Sequence, residues 1–188
     1  MMDKRIERTL TNAREAAIEV LSQGGFAAFT MEAVAEHSAI AKSTLYRHFP
    51  DRVALLSDAL ETLNRQPRRC EPLHPGELRA RVEELVTHLA IVFVGSRISK
   101  VIPALIEAAE HHPQLAAFLH QYSAARRQAL VELLREGIQL GELAADCDAE
   151  LISLLLSGPI FYCRLMSAAP FPVDRVPELV KVVLPLAK

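Results

Sequence analysis

The sequence predicts an all-α protein, and three observations support this fold class. Leu, Ala and Glu, which favour helices, are abundant, whereas glycine occurs seven times in 188 residues. Apolar residues recur at three- and four-residue intervals, as they do on one face of a helix. No long alternating run and no Asn-Gly or Asp-Gly hairpin signal is present, so strands are not expected. Hydrophobic residues make up 51% of the chain, which is enough for a folded core.

The first 65 residues predict four helices whose ends are marked by capping and breaking residues. The pair Gly24 and Gly25 should end the first helix, and Thr30 is a good N-cap for the second. Pro50 should end the third helix, because the residue before a proline avoids the helical region. Asp51 should cap the fourth. The predicted helices cover residues 4–22, 31–37, 41–48 and 52–65.

A segment rich in proline and charge separates these helices from the rest of the chain. Its sequence is "RQPRRCEPLHPGE", residues 65–77, with three prolines and one glycine. We therefore expect two domains, one of residues 1–65 and one of residues 66–188. Helical periodicity in the second domain predicts five helices, at residues 77–94, 98–110, 113–140, 148–166 and 173–186.

Two short helices joined by about three residues, between longer helices, are typical of a helix-turn-helix. A small core shared by both helices would leave the other face of residues 41–48 pointing outward. That face carries hydroxyl, guanidinium, ammonium and imidazole groups that can bind phosphates or base edges. From spacing alone, a solvated amphipathic helix fits this stretch as well as a DNA-binding helix does. The shared core would contain Val34, Ala35, Ile40, Leu45 and Phe49.

The stretch "GGFAAFTMEAVAEHSAIAKSTLYRHFPDRVALLSDAL" resembles the DNA-binding region of the TetR family of bacterial transcriptional regulators. The similarity covers about residues 8–60 without gaps, and its most specific part is "KSTLYRHFPDRVALL". It implies an N-terminal three-helix DNA-binding domain and a C-terminal helical domain for ligand binding and dimerisation. Lys4, Arg5 and Arg8 could add contacts from an N-terminal arm. The positions that the resemblance places against DNA are Thr30, Lys42, Ser43, Thr44, Tyr46, Arg47, His48 and Arg52.

The turn before the recognition helix departs from the family pattern. It often contains glycine, valine and serine, whereas this chain has Ala39, Ile40 and Ala41. Ala39 lacks the backbone freedom of glycine, and Ala41 has no hydroxyl to cap the helix. Each change is expected to cost about 1 kcal/mol, but neither removes a DNA contact.

The helix predicted at residues 148–166 is apolar nearly all round, and such a helix must be buried on every side. A second copy of the chain would cover its outer face, and a fully internal core helix is the alternative. The stretch "LLLSGPIFYCRLMSAAPFPVDRVPELVKVVL" is similar to the last two helices of one TetR subgroup. The resemblance implies a homodimer through these helices. Its recognition helices would lie about 34–36 Å apart and match a palindromic operator.

The resemblance also implies that the middle helices enclose a small-molecule effector. The alternative for each apolar candidate is ordinary core packing, and His88 could be a satisfied or exposed histidine. Few aromatic residues, with no tryptophan, favour an apolar effector. Leu89 and Arg97 are further candidates. The main candidates are His88, Phe93, Ile102, Leu105, Phe118, Tyr122 and Phe161.

Other kinds of site find little support in the sequence. Three widely spaced cysteines do not form a disulfide or zinc pattern and fit a reducing cytoplasm. Glu107 and His111 have a spacing that could hold a metal, but a histidine near a helix end simply suits the helix dipole. We expect no metal and no cofactor. The N-terminus lacks the apolar region of a signal peptide, and the apolar run at 151–163 is shorter than a membrane span, so no membrane partner is expected.

The net charge of −2 does not mark a DNA-binding protein, so the functional hypothesis depends on where individual residues lie. We expect a dimeric transcriptional repressor that binds a palindromic operator and is released by a small-molecule effector. The alternative is an all-α small-molecule-binding protein or enzyme whose N-terminal helices are only structural. No catalytic motif supports an enzyme. A third interpretation keeps DNA binding but makes the C-terminal domain a dimerisation module without an effector.

Overall fold

The computed structural model describes residues 4–63 and 73–184, and these residues form helices and no strand. The all-α prediction is therefore confirmed. Residues 64–72, which contain Cys70 and most of the predicted linker, lie outside the described residues. A single 3₁₀ turn, Val173–Arg175, precedes the last described helix. The helices are α1 (Lys4–Ala28), α2 (Met31–Ser38), α3 (Lys42–His48), α4 (Arg52–Leu63), α5 (Leu78–Gly95), α6 (Arg97–Ala109), α7 (Pro113–Gln139), α8 (Ala149–Met166) and α9 (Val176–Val183).

One compact unit contains residues 1–65 and 97–121, so α6 and the start of α7 pack with the N-terminal helices. Within it α1 is the central element, because it contacts α2, α4 and α6. Ala17, Ile18 and Leu21 of α1 are almost fully buried, as the predicted apolar stripe requires. Arg14 on the flank of α1 forms a 2.6 Å ion pair with Asp58 of α4.

The first helix extends further than the sequence predicts. Its hydrogen bonding continues to Ala28 instead of ending near Ser22, with a kink at Gly25. The φ of Gly25 is 65°, a left-handed conformation that glycine adopts without strain. The chain resumes a helical course after the kink because Phe26 and Phe29, three residues apart, then both become buried.

The predicted N-caps are confirmed by hydrogen bonds. Thr30 Oγ1 accepts the Ala33 N–H at 3.0 Å, and Asp51 Oδ1 accepts the Ala54 N–H at 2.8 Å. Asp148 Oδ1 accepts the Leu151 N–H at 3.0 Å, which begins α8. The predicted end at 65 lies outside the described residues. The last helix begins three residues later and ends three residues earlier than predicted, at Val176 and Val183, whereas the other helix ends agree with the prediction to within about two residues.

A second compact unit contains residues 66–96 and 122–188, in which α5 packs against α8 and α9. The start of α5 is tied to the end of α7, since the Gly76 N–H donates to Glu142 Oε1 at 2.9 Å. Gly137 of α7 lies so close to Leu78 that a Cβ at this position would be 2.5 Å from the leucine Cδ2. A larger residue at position 137 would therefore force the buried Leu78 side chain to shift. The predicted division between residues 65 and 66 stays a prediction.

Helix α8 has one buried face and one apolar face that remains exposed in a single chain. Ile152, Leu156 and Ile160 are buried. The helix has 18 residues and a mean hydropathy of 1.3, so among the described helices it alone is long and apolar enough to cross a membrane. The sequence predicts that the apolar run at 151–163 is too short to span a membrane. On length this prediction is wrong, because the helix extends beyond the run on both sides. The exposed apolar residues of α8 are Leu151, Leu154, Leu155, Tyr162, Leu165 and Met166.

We predict that Ala39→Gly stabilises the protein. Ala39 has φ 55° and ψ 29°, the left-handed region in which a Cβ is unfavourable. Glycine should raise the free energy of unfolding by about 1 kcal/mol, measured by urea denaturation. Ala117→Gly, at an exposed position within α7, is the matched control and should lower it by about 1 kcal/mol. Equal destabilisation by both substitutions would contradict the prediction.

Candidate nucleic-acid interface

The turn between α2 and α3 brings the two short helices together in a defined geometry. The Ile40 N–H donates to the Ala35 carbonyl at 3.1 Å, which closes the end of α2 around left-handed Ala39. Ala41 is extended and makes no side-chain cap, as expected from its missing hydroxyl. The Thr44 N–H instead donates to the Ala41 carbonyl at 2.9 Å, and this backbone bond begins α3.

Helix α3 has an apolar anchor on one side and polar side chains on the other. Leu45 is 1% exposed and Phe49, directly after the helix, is 5% exposed. They are buried together with Val34 and Ala35 of α2, as predicted, whereas Ile40 is half-buried. Thr44 is half-buried and Tyr46 is 48% exposed. The remaining exposed candidates of α3 are Lys42, Ser43, Arg47 and His48.

One acidic residue that no sequence motif indicates lies next to this face. Glu32 Oε1 in the first turn of α2 forms a 2.7 Å ion pair with Lys42 Nζ, and both side chains are about half exposed. The hydrogen bond from Lys42 lowers the pKa of Glu32 below its ordinary value. The carboxylate therefore partly neutralises a cation of the candidate interface. Ten residues separate the two in sequence, so no helical spacing could have indicated the pair.

Arg52 has a structural role that the sequence did not indicate. Its Nη1 donates to the carbonyl oxygens of Phe26 at 3.3 Å and Phe29 at 3.1 Å. Its guanidinium also lies 4.1 Å from the centre of the Phe26 ring, a cation–π contact. Arg52 thus fixes the start of α4 against the segment between α1 and α2. The His112 ring lies 5.2 Å from the Phe26 ring.

Comparison with known proteins decides the family. A model described as "Bacterial regulatory proteins, tetR family" matches residues 14–59, and one described as "Tetracyclin repressor-like, C-terminal domain" matches residues 74–183. The chain belongs to the TetR family. The similarity to known regulators also extends over nearly the whole chain. The uncharacterized HTH-type transcriptional regulator YdeS of Bacillus subtilis (strain 168) is 31% identical over 180 residues, 94% of this chain and 88% of YdeS.

Solved structures of transcriptional regulators share the fold over nearly the whole chain. The TetR family transcription regulator SCO0332 is 27% identical, has a TM-score of 0.68, and is matched over 96% of this chain and 99% of its own. FadR of Bacillus subtilis, crystallised with stearoyl-CoA, has a TM-score of 0.69 at 15% identity and is matched over 93% of this chain and 97% of its own. This chain is therefore a TetR-family helix-turn-helix transcriptional regulator and not an enzyme.

The predicted effector-binding residues of this TetR-family protein fall in both compact units. Ile102, Leu105 and Phe118 belong to the first unit, and the first two of these are buried. In the second unit the rings of Phe93 and Phe161 are 4.5 Å apart and inclined at 58°. The other candidates of the second unit are His88, Leu89 and Tyr122, all half-buried.

The remaining candidate site residues of this TetR-family chain are only partly described by the structure. The side chains of Lys4, Arg5 and Arg97 lie outside the described residues, whereas Arg8 is exposed. Across residues 4–63 and 73–184, no group of three or more His, Cys, Asp or Glu residues is arranged to hold a metal ion. The pair Glu107 and His111 therefore has no further ligand within this part of the chain. Cys147 and Cys163 are free thiols.

Glu32→Gln should strengthen binding to double-stranded DNA of unrelated sequence. Removing this carboxylate frees Lys42 and adds one positive charge to the helix-turn-helix, so affinity should rise a few-fold at moderate salt. The plot of log affinity against log salt should steepen by about 0.9, which fluorescence anisotropy at several salt concentrations measures.

Glu36→Gln is the matched control for this substitution. Glu36 is exposed one turn further along α2 and carries the same charge, but it is not ion-paired within the described ranges. It should have a smaller effect than Glu32→Gln. Equal effects of both substitutions would show that the ion pair itself has no influence on DNA affinity.

Proposed function

We propose that this chain is a dimeric repressor whose α3 binds a palindromic operator and whose C-terminal helices bind a small-molecule effector. The observation that carries the proposal is the division of α3 into a buried apolar anchor and an exposed polar face. A helix fixed in this way can enter the major groove without losing its contacts with the core.

The residues of α3 suit different parts of a DNA duplex. Arg47 can pair with guanine in the major groove, while Ser43 and Thr44 can reach base edges or phosphates. The half-exposed ring of Tyr46 can pack along the backbone while its hydroxyl donates to a phosphate. Lys42 and His48 at opposite ends of the helix supply further phosphate contacts.

Two candidates beside α3 would contact the DNA backbone in addition to their structural roles. Thr30 Oγ1 accepts the Ala33 N–H, which leaves its hydroxyl hydrogen for a phosphate oxygen. The two carbonyl bonds of Arg52 involve only Nη1, so its other N–H groups can face a phosphate. The start of α2 adds backbone N–H groups that favour an anion.

The dimer would form through α8 and α9. Exposed leucines, Tyr162 and Met166 on α8 make an apolar face too extensive for a surface helix, and Val182 of α9 is 83% exposed. Dimerisation is typical of the TetR family, and a second copy covers this face with identical residues. The chain would act in the cytoplasm, where operator DNA is present.

The effector would act by a population shift. It must bind more tightly to a state whose recognition helices are wrongly spaced for the operator. FadR, which shares this fold, was crystallised with stearoyl-CoA, and this supports an effector site in the C-terminal helices here.

Selection of bound duplexes from a random DNA pool, at several salt concentrations, tests operator binding. We expect a palindrome whose half-sites are about one helical turn apart. The double substitution Tyr46→Ala and Arg47→Ala should weaken binding to that palindrome at least tenfold, whereas Lys100→Ala, exposed on α6, should not. No enriched sequence at any salt, or unchanged binding by the double variant, would contradict the assignment of α3.

Leu155→Glu should convert the dimer into a monomer of about 20.8 kDa, which sedimentation velocity measures. A charge in the middle of the apolar face of α8 cannot be buried without a partner. Leu140→Glu, on an exposed leucine after α7, is the control and should leave the dimer intact. A dimeric Leu155→Glu variant, or a monomeric wild-type protein, would contradict the proposed interface.

A further inference from the structure

We propose that Glu32 and Lys42 together read one C·G base pair in each half-site of the operator, which makes Glu32 a specificity-determining residue. The Glu32 carboxylate accepts a hydrogen bond from the exocyclic amine of cytosine, while the Lys42 ammonium donates to the paired guanine. This inference rests on the operator binding proposed above. It adds a base preference to a function that so far names only contacts.

The structure brings the two side chains together at the start of α3. Glu32 Oε1 lies 2.7 Å from Lys42 Nζ, although the two residues belong to different helices of the first compact unit. Lys42 is the first residue of α3, and the N-terminal residues of a recognition helix contact base edges. An ion pair this short holds the carboxylate at the same depth as the ammonium. The pair therefore approaches the base edges as one unit.

Both side chains retain hydrogen-bonding groups beyond the ion pair. Each is about half exposed, so DNA has access to it. The Lys42 ammonium has three N–H donors, and Glu32 takes one of them, which leaves one for a base and one for a phosphate. The hydrogen bond from Lys42, together with one from its own backbone N–H, lowers the pKa of Glu32 below its ordinary value. At neutral pH the Glu32 carboxyl group therefore accepts hydrogen bonds and does not donate them.

A C·G base pair presents the complementary arrangement in the major groove. Cytosine exposes its N4 amine as a donor, and guanine exposes O6 and N7 as acceptors. One amine hydrogen already bonds to guanine O6, so N4 and O6 are about 2.9 Å apart, as in other N–H···O bonds. This spacing matches the 2.7 Å between Glu32 Oε1 and Lys42 Nζ. The four atoms can form a closed ring in which each donor faces an acceptor.

The same ion pair disfavours other sequences. In the inverted G·C pair the guanine carbonyl would face the Glu32 carboxylate, and two acceptors would meet without a hydrogen between them. Cytosine is favoured over adenine because its partner is guanine, whose O6 and N7 are the usual acceptors for lysine. On unrelated DNA the carboxylate only weakens the attraction of Lys42 to phosphates. Glu32 therefore lowers the affinity for most sequences and increases the advantage of the operator.

The test compares the operators selected by the wild-type protein and by Glu32→Ala from a random DNA pool. The wild-type half-site should contain one C·G pair for which Glu32→Ala has no preference, while the other positions are retained. Fluorescence anisotropy would then use the operator and a copy in which this base pair is inverted in one half-site. The wild-type protein should bind the inverted copy about five- to a hundredfold more weakly, whereas Glu32→Ala should bind both copies equally.

Glu32→Gln should give a new preference, which a misfolded variant cannot do. Glutamine pairs with N6 and N7 of adenine, so the selected base pair at this position should change from C·G to A·T. Glu36→Ala and Glu36→Gln are the matched controls, because they remove the same charge from an exposed position one turn further along α2. Both controls should retain the C·G preference.

The proposal is overturned if Glu32→Ala and Glu32→Gln both select the complete wild-type half-site. It is also overturned if they raise the affinity for the operator and for unrelated DNA by the same factor, because Glu32 would then act only through its charge. These results leave operator binding itself intact. If the wild-type protein enriches no sequence, the proposed function is contradicted together with this inference.

Discussion

The burial of Leu45 and Phe49 is the constraint on which the DNA-binding surface depends. Helix α3 has seven residues, and a helix of this length is not stable in water by itself. It has no side-chain N-cap and no acidic residue in its first turn. Its conformation must therefore come from packing against α2, and the two apolar anchors provide it. The residues on the polar face of α3 can therefore vary to suit the DNA with little effect on folding.

The anchors work because the start of α2 is itself held in place. Thr30 caps its start, and the carbonyl just before Thr30, that of Phe29, accepts a hydrogen bond from Arg52. The Arg52 guanidinium also covers the ring of Phe26, which contacts His112. One arginine thus connects the end of α1, the start of α4 and the turn between α6 and α7 within the first compact unit. Such a connection limits independent movement of the short helices.

The sequence predicted most of the helices because their signals are local. Thr30, Asp51 and Asp148 are capping residues, and each makes the hydrogen bond to the third residue beyond it that its position predicts. The prediction failed at the end of α1, where the helix continues beyond Gly25 to Ala28 and the side chains of Phe26 and Phe29 are buried. Burial of this kind depends on residues far away in the chain, so periodicity near Gly25 could not show it.

The residues of the candidate interface could be predicted from the sequence, but their contacts with other residues of the chain could not. The exposure of most of α3 follows from the positions of Leu45 and Phe49. The ion pair of Lys42 with Glu32 and the carbonyl contacts of Arg52 depend on how separate helices meet, which a single sequence does not reveal. Effector-binding residues are still harder to predict from the sequence, because a residue that lines a binding site and a residue that fills the core can have the same apolar side chain.

The first compact unit is discontinuous in the chain, and this limits how such regulators can be recombined. Residues 97–121 pack with residues 1–65, although the intervening segment belongs to the other unit. A chimera joined once, near residue 65, would pair α1 with a foreign α6 and leave its buried surface mismatched. Exchange of sensing modules between relatives would therefore have to transfer two separate pieces of chain, with junctions near residues 65, 96 and 121.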